Sequence, residues 1–286
     1  MKPVPQLQVL VTGGSGFIGR HLIAQLRAAG HTVHAPHRGE SLQVDGPLDA
    51  VVNLAGAPIL GPPWTTARRQ LLRDSRINTT QALVQSLATR SQRPAVLVSA
   101  SAIGYYGVRD EQPLDEHASP QAIFQSQLCQ DWEIAAEAAS QLGIRVVRLR
   151  LGVVLGRDGG ALPQLAVPAR WGLAAVMGKG SQGAPWIHLD DVLGLIELAL
   201  HTSTLQGALN AVAPGHVTQA QFTRSLAKVL GRPQWLKVPA FVLRGLLGEM
   251  SQLLVDGQHV VPAAALAAGY HFKQPEIEQA LHNLLD

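Results

Sequence analysis

A single cysteine, Cys129, stands in the 286 residues of the chain. It excludes an internal disulfide and any cysteine-rich metal cluster, so the fold rests on its core, as in proteins of reducing compartments. Tyrosine is nearly as scarce: Tyr105, Tyr106 and Tyr270 are the only 3, so chemistry that needs a phenol has few places to find one. No apolar stretch approaches the roughly 20 residues of a membrane-crossing helix, and Met1-Lys2-Pro3-Val4-Pro5 leads into a strand without an apolar leader. The histidines are dispersed, with no His-x-x-x-His helix, and no metal centre is expected. Dense basic runs are also missing. The net charge is +3 and the pI about 9.3, but the arginines are scattered through helical segments, a poor match to a nucleic-acid surface. A cytoplasmic protein acting on a small molecule is expected, without membrane or nucleic-acid partners; the sequence leaves a homodimer open.

What is present is an alternation of strand and helix signals in a chain that is 47% hydrophobic. Leu7 to Thr12 is a short apolar run, and Phe17, Ile18, Leu22, Ile23 and Leu26 follow at helical spacing up to Gly30. A second strand is expected at Thr32 to His37, with a link to the run Asp49 to Ala55 too short for a full helix and another strand. A helical stretch over about Thr65 to Ala88, a strand at Ala95 to Ser99, a helix over about Gln121 to Leu142 and a strand at Ile144 to Leu151 complete the alternation. The expected class is α/β, a Rossmann-type doubly wound parallel sheet with a smaller C-terminal substrate lobe. Residues 1–152 form the dinucleotide-binding part and 153–286 mainly the lobe, with 186–213 returning to the sheet.

The first strand-to-helix junction carries the chemistry. It reads Gly13-Gly14-Ser15-Gly16-Phe17-Ile18-Gly19. Gly13 permits a tight turn, Gly16 lets backbone approach a pyrophosphate, Gly19 lets the helix pack on the sheet, and the helix N-terminus favours the negative charge. Ser15, Phe17 and Ile18 are expected beside the same group. The small residues of Asn53-Leu54-Ala55-Gly56 end a strand where the adenine and ribose side of a dinucleotide would approach, and Ser99 and Gly152, at the ends of two later strands, are expected to reach the cofactor as well. The second strand ends His34-Ala35-Pro36-His37-Arg38, without the acidic residue that holds an NAD ribose. Arg38 is expected to pair with a 2′-phosphate, so the cofactor is NADP(H); its bland alternative is a solvated loop arginine.

These segments, together with Ser99-Ala100-Ser101-Ala102-Ile103-Gly104-Tyr105-Tyr106-Gly107, resemble the extended short-chain dehydrogenase/reductase superfamily. Ser75-Arg76-Ile77, Asp131-Trp132-Glu133, Gly156-Arg157-Asp158-Gly159-Gly160, Trp186-Ile187-His188-Leu189-Asp190-Asp191, Gly248-Glu249-Met250 and Ala268-Gly269-Tyr270-His271-Phe272 are similar to its sugar-nucleotide epimerase-like subfamily of unassigned function. The resemblance implies an NADP preference and a small C-terminal domain, and it names no substrate. It also implies a serine at the end of the central strand, here Ser101, and an acid/base Tyr-x-x-x-Lys helix.

That helix pair is missing. Its two positions fall on Gln125 and Cys129, neither of which supplies an exchangeable proton near neutral pH or a fixed cation, and no Tyr-x-x-x-Lys occurs anywhere in the chain. Arg76 stands where relatives have asparagine. Tyr105, Tyr106 and His188 are the replacement candidates for the tyrosine; each also has a structural reading, as ring packing or a turn hydrogen bond. Asp190 and Asp191 read as helix capping and first-turn charge. Arg148 and Arg150 alternate along a strand and either meet a substrate anion or satisfy backbone carbonyls. Two classes follow: an oxidoreductase or epimerase with unconventional acid/base groups, and a redox sensor that kept the dinucleotide and lost turnover.

Overall fold

In the computed structural model, which describes residues 6–286 apart from the side chains of 110 and 111, apolar side chains alternate across six strands. The opening stretch 1–5 lies outside the described residues. The strands are β1 (Gln8–Thr12), β2 (Thr32–His34), β3 (Ala50–Asn53), β4 (Val96–Ala102), β5 (Arg145–Leu151) and β6 (Gly207–Ala211). They form one all-parallel sheet in the order β6-β5-β4-β3-β1-β2. Register pairs Leu10 with Val51, Val51 with Leu97 and Leu97 with Val146, so these four share one face. Val9, Val11, Val52, Val98 and Val147 point to the other. Both faces are covered, which is why the strands read as near-continuous apolar runs.

Three of the first four helices supply covers. α1 (Phe17–Ala28) brings Leu22 and Leu26 to the valine face; α2 (Thr66–Asp74) lies outside the sheet layers; α3 (Ile77–Ala88) and α4 (Phe124–Glu137) close the opposite face with Leu83, Leu87 and Ala136. Strand order reverses between β1 and β3, whose carboxyl ends therefore border the crevice where such sheets take ligands.

A second core lies apart from the sheet faces. α5 (Leu162–Arg170), α7 (Gln219–Val229) and the helix Ile277–Leu285 pack Leu162, Phe222, Leu226 and Leu281 around Trp186. Between them α6 (Leu189–His201) returns to the valine face of the sheet. Strand Trp186–His188 pairs with Val153–Gly156, while Gly207–Ala211 is the segment that joins the main sheet. Among the described residues no helix is long and apolar enough to cross a membrane, and no group of three metal-ligating side chains occurs.

Two elements depart from their expected outlines. The second strand stops at His34 because Pro36 cannot donate to a ladder, and the chain turns at His37–Glu40. The stretch Thr65 to Ala88 is two helices, broken at Ser75-Arg76. There Arg76 folds its side chain inward onto the carbonyls of Ala57 and Leu72.

Candidate functional site

The glycine loop is shaped by contacts that a side chain would break. Gly13 has φ +71°, and a Cβ on it would stand 2.6 Å from the carbonyl carbon of Leu54. Only glycine permits both that conformation and the approach of the β3 end. A Cβ on Gly19 would lie 2.3 Å from the Gly13 oxygen, so α1 could not seat against the loop. Gly16 differs: a Cβ there would meet only the Gly13 oxygen, at 3.1 Å. Gly16 itself is exposed at the helix N-terminus. Gly16 is the N-cap of α1, no side chain caps the helix and no acidic residue occupies its first turn, so its first amides are open to an anion. Ser15 is exposed, and Phe17 and Ile18 are half-buried.

Phe17 also explains a distant motif. Its ring lies against Gly156, Gly159 and Gly160, where any Cβ would come within 3 Å of it. Asp158 at the tip of that hairpin pairs with Arg20 at 2.8 Å and His21 at 3.0 Å. The hairpin thus covers the start of α1.

Beyond β2 lies a cavity of about 440 Å³ lined by His34, Ala35, Pro36, Ser41, Gln43, Val44 and Asp45. Arg38 is exposed in the adjoining turn, which is closed by the His37 amide donating to the Glu40 carboxylate at 2.7 Å. Leu54 and Ala55 are half-buried and Gly56 is exposed at the end of β3. Ser99 and Gly152 are placed differently. Ser99 is 1% exposed and accepts from Asn53 Nδ2 at 3.1 Å, and Gly152 is enclosed by Val212 and the Pro185 carbonyl.

Asn53 ties the floor together. Fully buried, it accepts from Thr12 Oγ1 at 2.6 Å and donates to Thr80 Oγ1 at 2.8 Å, while Trp132 Nε1 donates to the same Thr80 oxygen at 3.1 Å. The ends of β1, β3 and β4 are thereby fixed to α3 and α4.

A second buried network lies beside it. Ser101 donates its hydroxyl to Glu133 Oε1 at 2.7 Å, and Arg150 clamps the same carboxylate through Nε at 2.8 Å and Nη2 at 2.9 Å. Arg150 Nη1 donates to the Tyr106 hydroxyl at 2.8 Å, which in turn donates to Asn210 Oδ1 at 2.7 Å. Tyr106 is fully buried, and burial outweighs the nearby Arg150 to push its phenol up to about 12. Tyr105 is half-buried, with the Arg150 guanidinium 3.5 Å from its ring centroid. Among the described residues none bonds its hydroxyl. Arg148 reaches the outer side of the same cluster, 3.6 Å from Glu133 and 3.5 Å from Glu137.

Burial pushes the Cys129 thiol up to about 12, so it is neither a cation nor a nucleophile at neutral pH. Gln125 is 5% exposed with its carbonyl oxygen unpartnered. His188 lies apart from this cluster. It caps α6, accepting from the Asp190 amide at 3.0 Å, and its other ring nitrogen faces Asn283 at 3.1 Å. Asp191 is no simple first-turn charge. Fully buried, it accepts from Tyr270 Oη at 3.0 Å and from the amides of Lys273 and Gln274 at 2.7 and 3.0 Å, anchoring the tail.

Ser101, Tyr105 and Tyr106 therefore gather at one buried cluster and His188 stands apart; Arg150, Asn53 and Glu133 stood in the sequence motifs without the partners found here, and Asn210 is the polar residue that the motifs did not contain. A signal for their burial was present: Glu133 lies one turn from the buried Cys129 and Ala136 on one face of its helix, and Arg150 sits between Leu149 and Leu151 on a buried strand.

A parallel sheet with a glycine cradle at its switch point, an uncapped helix over that cradle and no acidic residue at the end of β2 defines a Rossmann-type dinucleotide-binding protein of the NADP class. The cradle fits the cofactor, because Gly16 is exposed where a diphosphate would lie and the first amides of α1 have no side-chain cap. Residues 9–211 match the model of the NAD dependent epimerase/dehydratase family, and the chain belongs to that family. Residues 238–284 match a domain of unknown function. The chain is 40% identical to the epimerase family protein SDR39U1 of Bos taurus, over 98% of this chain and 100% of that one. It is 34% identical to the epimerase family protein YfhF of Bacillus subtilis, over 98% of each. A crystal structure of human SDR39U1 with NADPH superposes with a TM-score of 0.91 at 34% identity, covering 97% of this chain and 99% of that one. The expected fold, the extended-family membership and the NADP(H) assignment stand with these findings.

Proposed function

We propose that this protein is an NADP(H)-dependent oxidoreductase or epimerase of a small molecule, acting in the cytoplasm, with Tyr105 carrying the proton that a Tyr-x-x-x-Lys tyrosine carries elsewhere. The bound cofactor would supply hydride transfer. The single supporting observation is that Tyr105 alone, of the four nominated residues, keeps its polar group unengaged by described protein groups. Ser101 is committed to Glu133, Tyr106 to Arg150 and Asn210, and His188 to Asp190 and Asn283. Ser101 in this reading positions the strand end through Glu133. Arg38 holds the 2′-phosphate, and Gly13, Ser15, Gly16, Phe17, Ile18, Gly19, Leu54, Ala55 and Gly56 surround the dinucleotide.

The test follows the near-ultraviolet absorbance of reduced nicotinamide while the protein and NADP(H) meet a panel of sugar nucleotides and small carbonyl compounds. Product analysis of the same reactions detects epimerisation, in which no net absorbance changes. Tyr105→Phe should lower kcat by about 100-fold or more with cofactor affinity kept, the range of a lost general acid/base. Undiminished kcat in Tyr105→Phe would overturn the assignment. A second reading, an NADP(H) sensor without turnover, is favoured by the commitment of the Ser101 proton to Glu133. Cofactor binding with neither cofactor oxidation nor product across the panel is its expected result.

A further inference from the structure

Arg76 brings a full positive charge under the edge of the site, and no described carboxylate answers it. The residue is 9% exposed, and the ion pairs made by arginines among the described residues use Arg20, Arg69, Arg73, Arg148, Arg150 and Arg244. Its guanidinium instead donates to three neutral oxygens: Ala57 O at 2.8 Å, Leu72 O at 3.2 Å and Ser75 Oγ at 3.5 Å. It also lies 5.2 Å from the centroid of the Trp132 ring. Neutral acceptors and an aromatic face soften the desolvation of a cation without cancelling its charge. Arg150, the other deeply buried arginine of this region, is matched by Glu133; Arg76 is not.

Its position is informative. A Cβ built on the exposed Gly56 would stand 3.3 Å from Arg76 Cζ, so the cation lies directly behind the backbone at the end of β3. The preceding residues Leu54 and Ala55 close on Gly13 of the cofactor cradle. Arg76 and Cys129 are close enough for each to act on the other's charge, and the Arg76 guanidinium lies against the Trp132 ring of the same helix α4. Cys129 occupies the position that the resemblance assigns to the lysine. The chain therefore has no cation at that position of α4 and holds one at the N-cap of α3.

We propose that Arg76 supplies the fixed positive charge on the nicotinamide-riboside side of bound NADP(H), the role that the missing lysine leaves open. Arg76 is a positioning residue: it acts through the Gly56–Ala57 turn and through its field on the nearby diphosphate. The inference rests on the NADP(H) assignment, and one experiment separates the two. Wild type, Arg76→Gln and Arg76→Lys are titrated with NADPH and with adenosine 2′,5′-bisphosphate, which lacks the nicotinamide riboside, and the folding of each variant is verified by thermal unfolding. Arg76→Gln keeps a donor for the Ala57 carbonyl and removes the charge. It should weaken NADPH by about tenfold, the usual scale for a lost charge-assisted contact, and shift the bisphosphate by less than about twofold. Arg76→Lys should stay within about threefold of wild type for both ligands.

An unchanged NADPH affinity in folded Arg76→Gln overturns the proposal. Equal weakening of both ligands also overturns it, since that is the mark of a displaced turn, and so does a lysine variant as weak as the glutamine one. Wild type that binds the bisphosphate but not NADPH removes both this inference and the cofactor assignment.

Discussion

Removing the carboxylate of Glu133 separates what the buried network does for stability from what it does for the site. Glu133 and Arg150 have side chains 4% and 3% exposed, joined by two bonds of 2.8 and 2.9 Å, with Ser101 adding a third to the same carboxylate. Glu133→Ala leaves Arg150 with Tyr106 and a backbone carbonyl of Glu116 as its remaining partners. An uncompensated buried charge costs about 3–5 kcal/mol. At about 2–4 °C per kcal/mol for a chain of this general size, the melting temperature should fall by roughly 6–20 °C. The assay is denaturant unfolding of wild type, Glu133→Ala, Arg150→Met and the double variant. Replacing both charges removes the orphaned ion, so the double variant should be no less stable than the worse single one, a coupling of about 1–3 kcal/mol. A Glu133→Ala cost under about 1 kcal/mol, or strictly additive variants, would refute the claim that this pair is a coupled buried unit.

The remaining predictions concern the cradle, cofactor choice and the thiol. Arg38→Ala should shrink the preference for NADP(H) over NAD(H) by about tenfold with little change for NAD(H), measured by paired titrations; an advantage that survives assigns the 2′-phosphate to another residue. Gly16→Val should still fold, because its Cβ meets a single backbone oxygen at 3.1 Å, yet lose most NADP(H) affinity in calorimetry; undiminished affinity in the folded variant contradicts the placement of the diphosphate. Cys129 and Tyr106 keep their protons in the folded state up to about pH 12, against ordinary values of 9.0 and 10.0. The unfolded chain binds fewer protons between those limits, so stability should fall as pH rises from about 9 to 12, by up to about 1.4 kcal/mol per pH unit per group. Urea midpoints across that range check it, and a midpoint that rises with pH refutes the burial of both groups.

The local signals of this chain were legible because they act within one element or one turn. Alternating apolar runs specified buried parallel strands, and Gly13, Gly16 and Gly19 specified a turn, a ligand approach and a helix contact within seven residues. The absence of an acid before Arg38 and of any Tyr-x-x-x-Lys was equally plain. Where the sequence reading allowed two roles, neighbours far away in the chain decided between them. Asp191 looked like first-turn charge, but Tyr270, Lys273 and Gln274 converge on it from about 80 positions downstream. Ser101 is the serine that the resemblance implies at the end of its strand, and strand alternation turns its hydroxyl toward α4 and Glu133.

The sequence alone therefore determined the α/β class, the cradle and the missing acid/base pair, since each depends on residue types at short spacing and on backbone freedom that only glycine has. Tertiary structure decided which polar side chains are spent and which are free. A buried hydroxyl, carboxylate or guanidinium must be matched by whatever the packing of β4, β5, α3 and α4 brings within about 3 Å, and that juxtaposition joins residues from 17 to more than 100 positions apart. It engaged Ser101, Tyr106 and Glu133 with one another's neighbours and left Arg76 charged and, among the described residues, without a carboxylate partner.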